Sequence, residues 1–299
     1  MHSFRPYSLK IFDKYLPGEI SEKYHVLDNV RSKDLLDFVE AFLKSLTHNV
    51  HDDVETKKTI RVTELHRKER SVYGWMEYGE YGIPGAIYSL ANKAKTYDKK
   101  HDDSDVRFFY FNFCVPSNSK TAVALLHSAG NRGVKSFFNE KFNAYFKMHV
   151  DLNVRMSPLS HEKTVQEWLD NSSVKELRLS NYNVDVAGDI ADQLDVDRTE
   201  FVIKPKRGSG FGSFSFLQSK AANGGDSPVE ILSKISTDVR AVIESNGRKK
   251  IVSLKMSDPI AAIEITEDNV DIVDGAPDRT GLHNYADVLM KEFIDKVSR

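Results

Sequence analysis

The sequence predicts an α+β protein: a largely antiparallel mixed sheet with helices packed on it, built as one domain or as two lobes. Three observations predict it. Apolar runs are joined by short polar turns, at His66-Arg67-Lys68-Glu69-Arg70 and at Pro116-Ser117-Asn118-Ser119, which is the pattern of hairpins. Segments of helical periodicity are interspersed among those runs without a regular βαβ alternation. Finally, 40% of the 299 residues are hydrophobic, enough to bury one large core or two smaller ones.

Taken in order, Leu35, Leu36, Val39, Phe42, Leu43 and Leu46 fall at helical spacing, and Ser32 is the expected N-cap. Residues 48–58 are polar and read as a loop. Residues 60–65 and 71–78 read as the strands of a hairpin, and 83–90 as a further strand. Residues 93–105, rich in Lys and Asp, read as an exposed linker. The clearest hairpin is 107–115 with 120–128, its first strand aromatic on both faces, as expected for a strand buried between two layers.

Gly130 and Gly133 then break the chain ahead of a helix at 134–148, where Val134, Phe137, Phe138, Phe142, Tyr145 and Phe146 share one face. Residues 152–156 read as a strand, 160–169 as a helix, 174–184 as a strand whose imperfect phase suggests a bulge, and 187–194 as a short helix. Two strands follow at 200–204 and 213–217 around a glycine-rich turn. Residues 229–245 carry helical periodicity through Ile231, Leu232, Ile235, Val239, Val242 and Ile243, with Asn246-Gly247 as the stop. Strands at 251–256 and 260–265 and a helix at 285–297 close the chain. The division into lobes is expected between residues 1–150 and 151–299.

Charge limits the function classes. A net charge of −2 argues against a surface that is a polyanion-binding field throughout, so any nucleic-acid site must be local. Lys and Arg exceed Asp and Glu before about residue 150, and the reverse holds after it. No run approaches the roughly 18 to 20 apolar residues of a membrane helix, so no membrane span is expected. The first residues show no apolar run of the secretory kind, and a cytoplasmic location is expected. The lone Cys114 lies in an aromatic run and reads as a buried thiol. No cofactor is expected.

Two segments carry positive charge on flexible backbone. In the first, Gly130-Asn131-Arg132-Gly133-Val134-Lys135 joins a strand to a helix, where backbone N–H groups and the helix dipole favour an anion beside Arg132 and Lys135. The glycine spacing is not that of a Walker A loop, and a tight turn alone also explains the glycines. In the second, Lys204-Pro205-Lys206-Arg207 precedes Gly208-Ser209-Gly210-Phe211, with Phe214 and Phe216 beyond. Cations interleaved with aromatic rings suit single-stranded nucleic acid, while a basic hairpin turn beside core phenylalanines is the plainer reading.

The His51-Asp52-Asp53 and His101-Asp102-Asp103 triplets contain metal-ligand types but fall in polar segments without further ligands, so they read as solvated charge. Glu200 and Lys204 would share a strand face, one residue too far apart for a PD-(D/E)xK nuclease motif. No nucleophile elbow is present. His127, His161 and His283 would matter only if they converged in space.

The run from residue 107 to 146, with its hydrophobic hairpin, Gly-Asn-Arg-Gly turn and aromatic helix, resembles uncharacterised bacterial proteins of prophages and phage-defence loci. The resemblance implies a bacterial cytoplasmic setting and an antiviral role, and transfers no site residue. The leading expectation is a non-catalytic nucleic-acid-binding or sensor protein of such a system, contacting DNA or RNA through Lys204, Lys206, Arg207, Arg132, Lys135 and Phe211. Two alternatives stand beside it: a protein-interaction module that assembles with a defence partner or with itself, and a metal-dependent nuclease with a non-standard acidic site.

Overall fold

The computed structural model describes residues 2–130, 132–159, 173–182, 200–206, 211–212, 217, 231–232, 236–245, 248–253 and 262–297. The helices expected at 160–169 and 187–194, and residues 213–216 of an expected strand, lie outside them. The chain forms two compact units, Leu9–Met156 and Met1–Ser8 with Ser157–Arg299. Strand β1 (His2–Ile11) starts in the second of these and continues into the first.

The Leu9–Met156 unit is an antiparallel sheet under two helices. Its strands are β2 (His51–Asp53), β3 (Lys58–Lys68), β4 (Ser71–Glu80), β5 (Gly85–Ser89), β6 (Ala94–Lys99), β7 (Asp105–Cys114), β8 (Ala122–Ala129), β9 (Arg132–Gly133) and the start of β10 (Val154–Pro158). Helix α1 spans Leu35–Ser45 and α2 spans Lys135–Val150. The sheet order is β8-β7-β4-β3-β2, and β5 and β6 form a separate two-stranded ribbon.

Alternation along β7 turns Phe109, Phe111 and Phe113 to one side, fully buried. There the ring of Phe113 stacks on Phe138 of α2 at 4.8 Å, and Phe138 meets Phe42 of α1 at 5.6 Å and Phe142 at 5.4 Å. Aromatic pairs of this kind add about 0.5 to 1.5 kcal/mol each beyond the burial of their area. A bulge in β3 between Val62 and Glu64 turns the Glu64 carbonyl onto Gly74, where a Cβ would sit 1.9 Å from the carbonyl oxygen. Only glycine fits at that position.

Several expectations are corrected here. The N-cap of α1 is Asp34, whose carboxylate accepts the Leu36 N–H at 2.8 Å, whereas Ser32 sits in a left-handed turn with φ of 67°. A cap needs extended backbone, and Ser32 spends its position on the reversal. Residues 51–53, expected as loop, pair with β3. The charged turn after β3 shrinks to Glu69 and Arg70, because β3 and β4 pair as far as Lys68 and Ser71. Arg67 is held by Asp37 and Glu40 of α1, and Arg70 by Asp34 and the Val115 carbonyl, which draws that charged stretch into the strand pair. Residues 94–99, expected as part of a linker, are strand β6. The aromatic strand β7 is buried only from Phe109 onward, and Phe108 is half exposed.

The other unit is also built on an antiparallel sheet. Its elements are β11 (Ser173–Tyr182), β12 (Glu200–Ile203), β13 (Ser236–Ser245), β14 (Arg248–Ser253), β15 (Ile263–Ile265), β16 (Ile272–Val273), β17 (Ala276–Pro277) and α3 (Arg279–Val297). The order runs β12-β11-β13-β14-β15-β1, and β16 and β17 pair on their own. The expected bulge in the first strand is present as a register shift between Val174 and Glu176.

The largest correction lies at residues 236–245, expected as the end of a helix and found as strand β13 between β11 and β14. Residues 239–243 are all buried, Val239, Ala241 and Ile243 on one sheet face and Arg240 and Val242 on the other, as in a central strand covered on both sides. The β-branched residues favour that extended backbone, and their helical spacing was coincidental. Helix α3 starts six residues earlier than expected, since the Asp278 carboxylate accepts the Gly281 N–H at 2.7 Å and supplies a start signal at the polar end.

Candidate functional site

One face of the β11–β15 sheet carries a cluster of charge beside the apolar Val242 and Ile251. On β11, Leu177 and Leu179 are buried, and the alternation sends Glu176, Arg178 and Ser180 to the opposite side. Arg240 of β13 stands directly across from Arg178. Two cations so opposed repel, and the arrangement holds only because carboxylates lie beside them.

Glu264 of β15 accepts from Arg240 Nη1 at 2.9 Å, and Ser180 Oγ accepts from Arg240 Nη2 at 2.7 Å. Glu200 of β12 lies between the two arginines, 3.6 Å from Arg240 and 3.8 Å from Arg178. Glu176 is 3.3 Å from Arg178 and 4.0 Å from Lys204. Ser236 donates to the Ser180 carbonyl at 2.6 Å and ties β13 to β11 at the end of the network. Arg178, Glu200, Arg240 and Glu264 line an open cleft of about 360 Å³, together with Ile251, Ile265 and Thr266.

The groups of this site are sorted by exposure. The Arg240 and Glu264 side chains are 5% and 9% exposed, so this pair is desolvated and its strength depends on its hydrogen bonds. Lys204, which follows β12, is 69% exposed, and Lys206 is exposed as well. Glu176 and Glu264 are thus largely covered and matched by guanidinium groups, Glu200 is partly exposed, and Lys204 is the most exposed member of the group.

The residues singled out in the sequence are distributed over both units. Lys204 lies 4.0 Å from Glu176 at the network, Lys206 is exposed two residues further on, and Phe211 is half-buried, its N–H bonded to the Val174 carbonyl at 3.4 Å. Arg207 lies outside the described residues. Arg132 and Lys135 belong to the Leu9–Met156 unit, where Arg132 in β9 is 2.9 Å from Asp105 and Lys135 opens α2.

Among the described residues no group of three His, Cys, Asp or Glu side chains is placed to hold a metal ion. In the first triplet, Asp53 is paired with Lys141 at 2.5 Å, and that bond with the Thr56 N–H lowers its pKa to about 2. In the second, Asp103 accepts from the Tyr97 hydroxyl at 2.6 Å and from the Lys100 N–H at 2.7 Å. His127 is buried near Trp75 and Phe109, Cys114 is a buried thiol, and His283 stands 3.8 Å from Asp287 on its own helix. His161 lies outside the described residues.

Arg178, Arg240 and Glu264 escaped the sequence reading. Their signal was an arginine isolated among β-branched residues in Val239-Arg240-Ala241-Val242-Ile243, which is legible only once that segment is known to be a strand. The fold and site define an α+β protein with an ion network buried in a sheet face. No family model matches this chain, and no curated protein matches it. No helix among the described residues is long and apolar enough to cross a membrane.

Proposed function

We propose that this protein binds nucleic acid without cleaving it, through a local basic surface at the rim of the cleft. The observation that carries this reading is the sorting of charge by exposure. Lys204 is 69% exposed while its acidic neighbours Glu176, Glu200 and Glu264 are 13%, 29% and 9% exposed and held by arginines. The most exposed of these charges is thus a cation, although the residues outside 9–156 hold 19 Lys and Arg against 24 Asp and Glu. Phe201 of β12, 53% exposed, pairs with Leu179 and so lies on the opposite face of the sheet from this charge. Exposed lysines beside neutralised acids are elements with which proteins hold the phosphates of a nucleic-acid strand.

Fluorescence anisotropy of labelled single-stranded DNA and RNA over a range of salt concentrations tests the reading. A Lys204→Ala, Lys206→Ala double variant is expected to reduce the salt slope of the binding constant by about 1.4, at roughly 0.7 per phosphate contact on a single strand. Phe201→Ala, on the opposite sheet face, is expected to leave binding unchanged. Salt-independent binding, or none, would overturn it.

A further inference from the structure

The Leu9–Met156 unit holds 23 Lys and Arg against 20 Asp and Glu, and one of its elements concentrates that excess. Strands β5 and β6 form a ribbon outside the main sheet, joined by the loop Leu90-Ala91-Asn92-Lys93. Lys93 takes a left-handed conformation with φ of 49°, and the Asn92 N–H bonds to Ser89 Oγ at 3.3 Å, which closes the turn.

The ribbon exposes side chains on both faces. Ile87 lies opposite Tyr97, and after a register shift Tyr88 lies opposite Lys95, so each face carries a tyrosine. Ile87, Tyr88 and Tyr97 are 53%, 60% and 47% exposed, and Leu90 at the tip is 89% exposed. Over residues 85–100 there are four lysines, Lys93, Lys95, Lys99 and Lys100, and one acid, Asp98, which Lys95 neutralises through two contacts of 2.9 Å. The Tyr97 hydroxyl bonded to Asp103 braces the base of the ribbon.

Two-stranded ribbons are marginal by themselves, and this one hides almost none of its apolar side chains. Its lysines oppose pairing with another copy of the same ribbon, since they would face one another. They suit a polyanion. A double helix also takes up apolar side chains, because architectural proteins insert leucine or isoleucine between base steps and kink the duplex.

We propose that the β5–β6 ribbon is an arm that lies along a groove of double-stranded DNA, its lysines on phosphates and Leu90 wedged at a base step, so that the DNA bends. This rests on the nucleic-acid reading above and extends it to a duplex substrate and a second contact element.

The test uses the full chain and a duplex of about 30 base pairs carrying a fluorescent donor and acceptor at its ends, a length on which a bend of tens of degrees is readable. The wild type is expected to bind and to raise energy transfer. Leu90→Ala is expected to keep binding within a few-fold and lose the rise in transfer. Changing Lys93, Lys99 and Lys100 to Ala is expected to flatten the salt slope by up to about 2.7, at roughly 0.9 per contact. Circular dichroism confirms that the variants fold.

Duplex binding unaffected by both ribbon variants would sink the arm and leave the Lys204 rim untouched. Loss of duplex binding and bending in the ribbon variants, with single-strand binding unchanged in the Lys204, Lys206 variant, separates the two readings in the other direction. Ribbon variants that change self-association in sedimentation while duplex DNA is never bound would overturn the arm in favour of a protein contact.

Discussion

The two units place their charges differently. In Leu9–Met156 the buried space is aromatic, and charged pairs such as Arg67 with Asp37 and Glu40 tie elements together from outside. In the other unit an arginine–glutamate network occupies one face of the sheet itself, with Arg240 buried. An aromatic cluster that loses one ring is left with a cavity that the surroundings fill only in part, whereas a buried ion network that loses one member is left with a charge short of a partner. The first design gains stability from area. The second depends on hydrogen-bond geometry, which suits a surface that must hold a fixed pattern of charge.

The sharpest way to break this comparison is at Arg240. Arg240→Ala strands Glu264 in a buried position and is expected to cost about 3 to 5 kcal/mol of stability in urea denaturation. Replacing Arg240 with Met and Glu264 with Leu together should recover most of that loss, because no charge is then left buried alone. Phe138→Ala in the aromatic cluster is expected to cost a similar amount, about 3 to 5 kcal/mol, with no second change that restores it except another large side chain. Recovery in the Phe138 case by a polar pair, or no recovery in the Arg240 case, would remove the distinction.

Smaller effects sharpen it. Asp34→Ala removes the cap of α1 and one partner of Arg70, and is expected to cost about 1 to 2 kcal/mol. Burial alone would raise the Asp34 carboxyl, but hydrogen bonds from Arg70 and the Leu36 N–H hold it below the usual carboxylate range. Its contribution is thus fully present above the unfolded value near 3.9 and is lost as pH falls through the lower folded value. Denaturation compared at pH 7 and pH 3 should show that dependence shrink in Asp34→Ala. At the small end, Arg67→Ala removes exposed pairs and is expected to change stability by no more than about 1 kcal/mol, measured in low and high salt.

Much of the Leu9–Met156 unit was legible from local pattern. The hairpins β3–β4 and β7–β8 join neighbours in sequence, and the helical stripe of Phe137, Phe138, Phe142 and Phe146 stands in the residues themselves. The other unit was less legible because its order is non-local. β13 sits between β11 and β14, and β15 pairs with the first residues of the chain through His2, Ser3 and Phe4. No window around residue 240 or residue 264 contains that information. The ribbon was half visible, since the β5 segment read as a strand while the lysines and aspartates of the β6 segment read as a linker.

What the sequence determined by itself was the α+β class, the local hairpins, the aromatic helix and the absence of a protein-wide basic field, because each follows from composition or from contacts only a few residues apart. What the tertiary structure alone decided was that Arg178, Arg240, Glu200 and Glu264 share one sheet face with Lys204 at its rim. Strand register across distant segments sets that grouping, and register depends on which strands come together, a property no single stretch of the chain encodes.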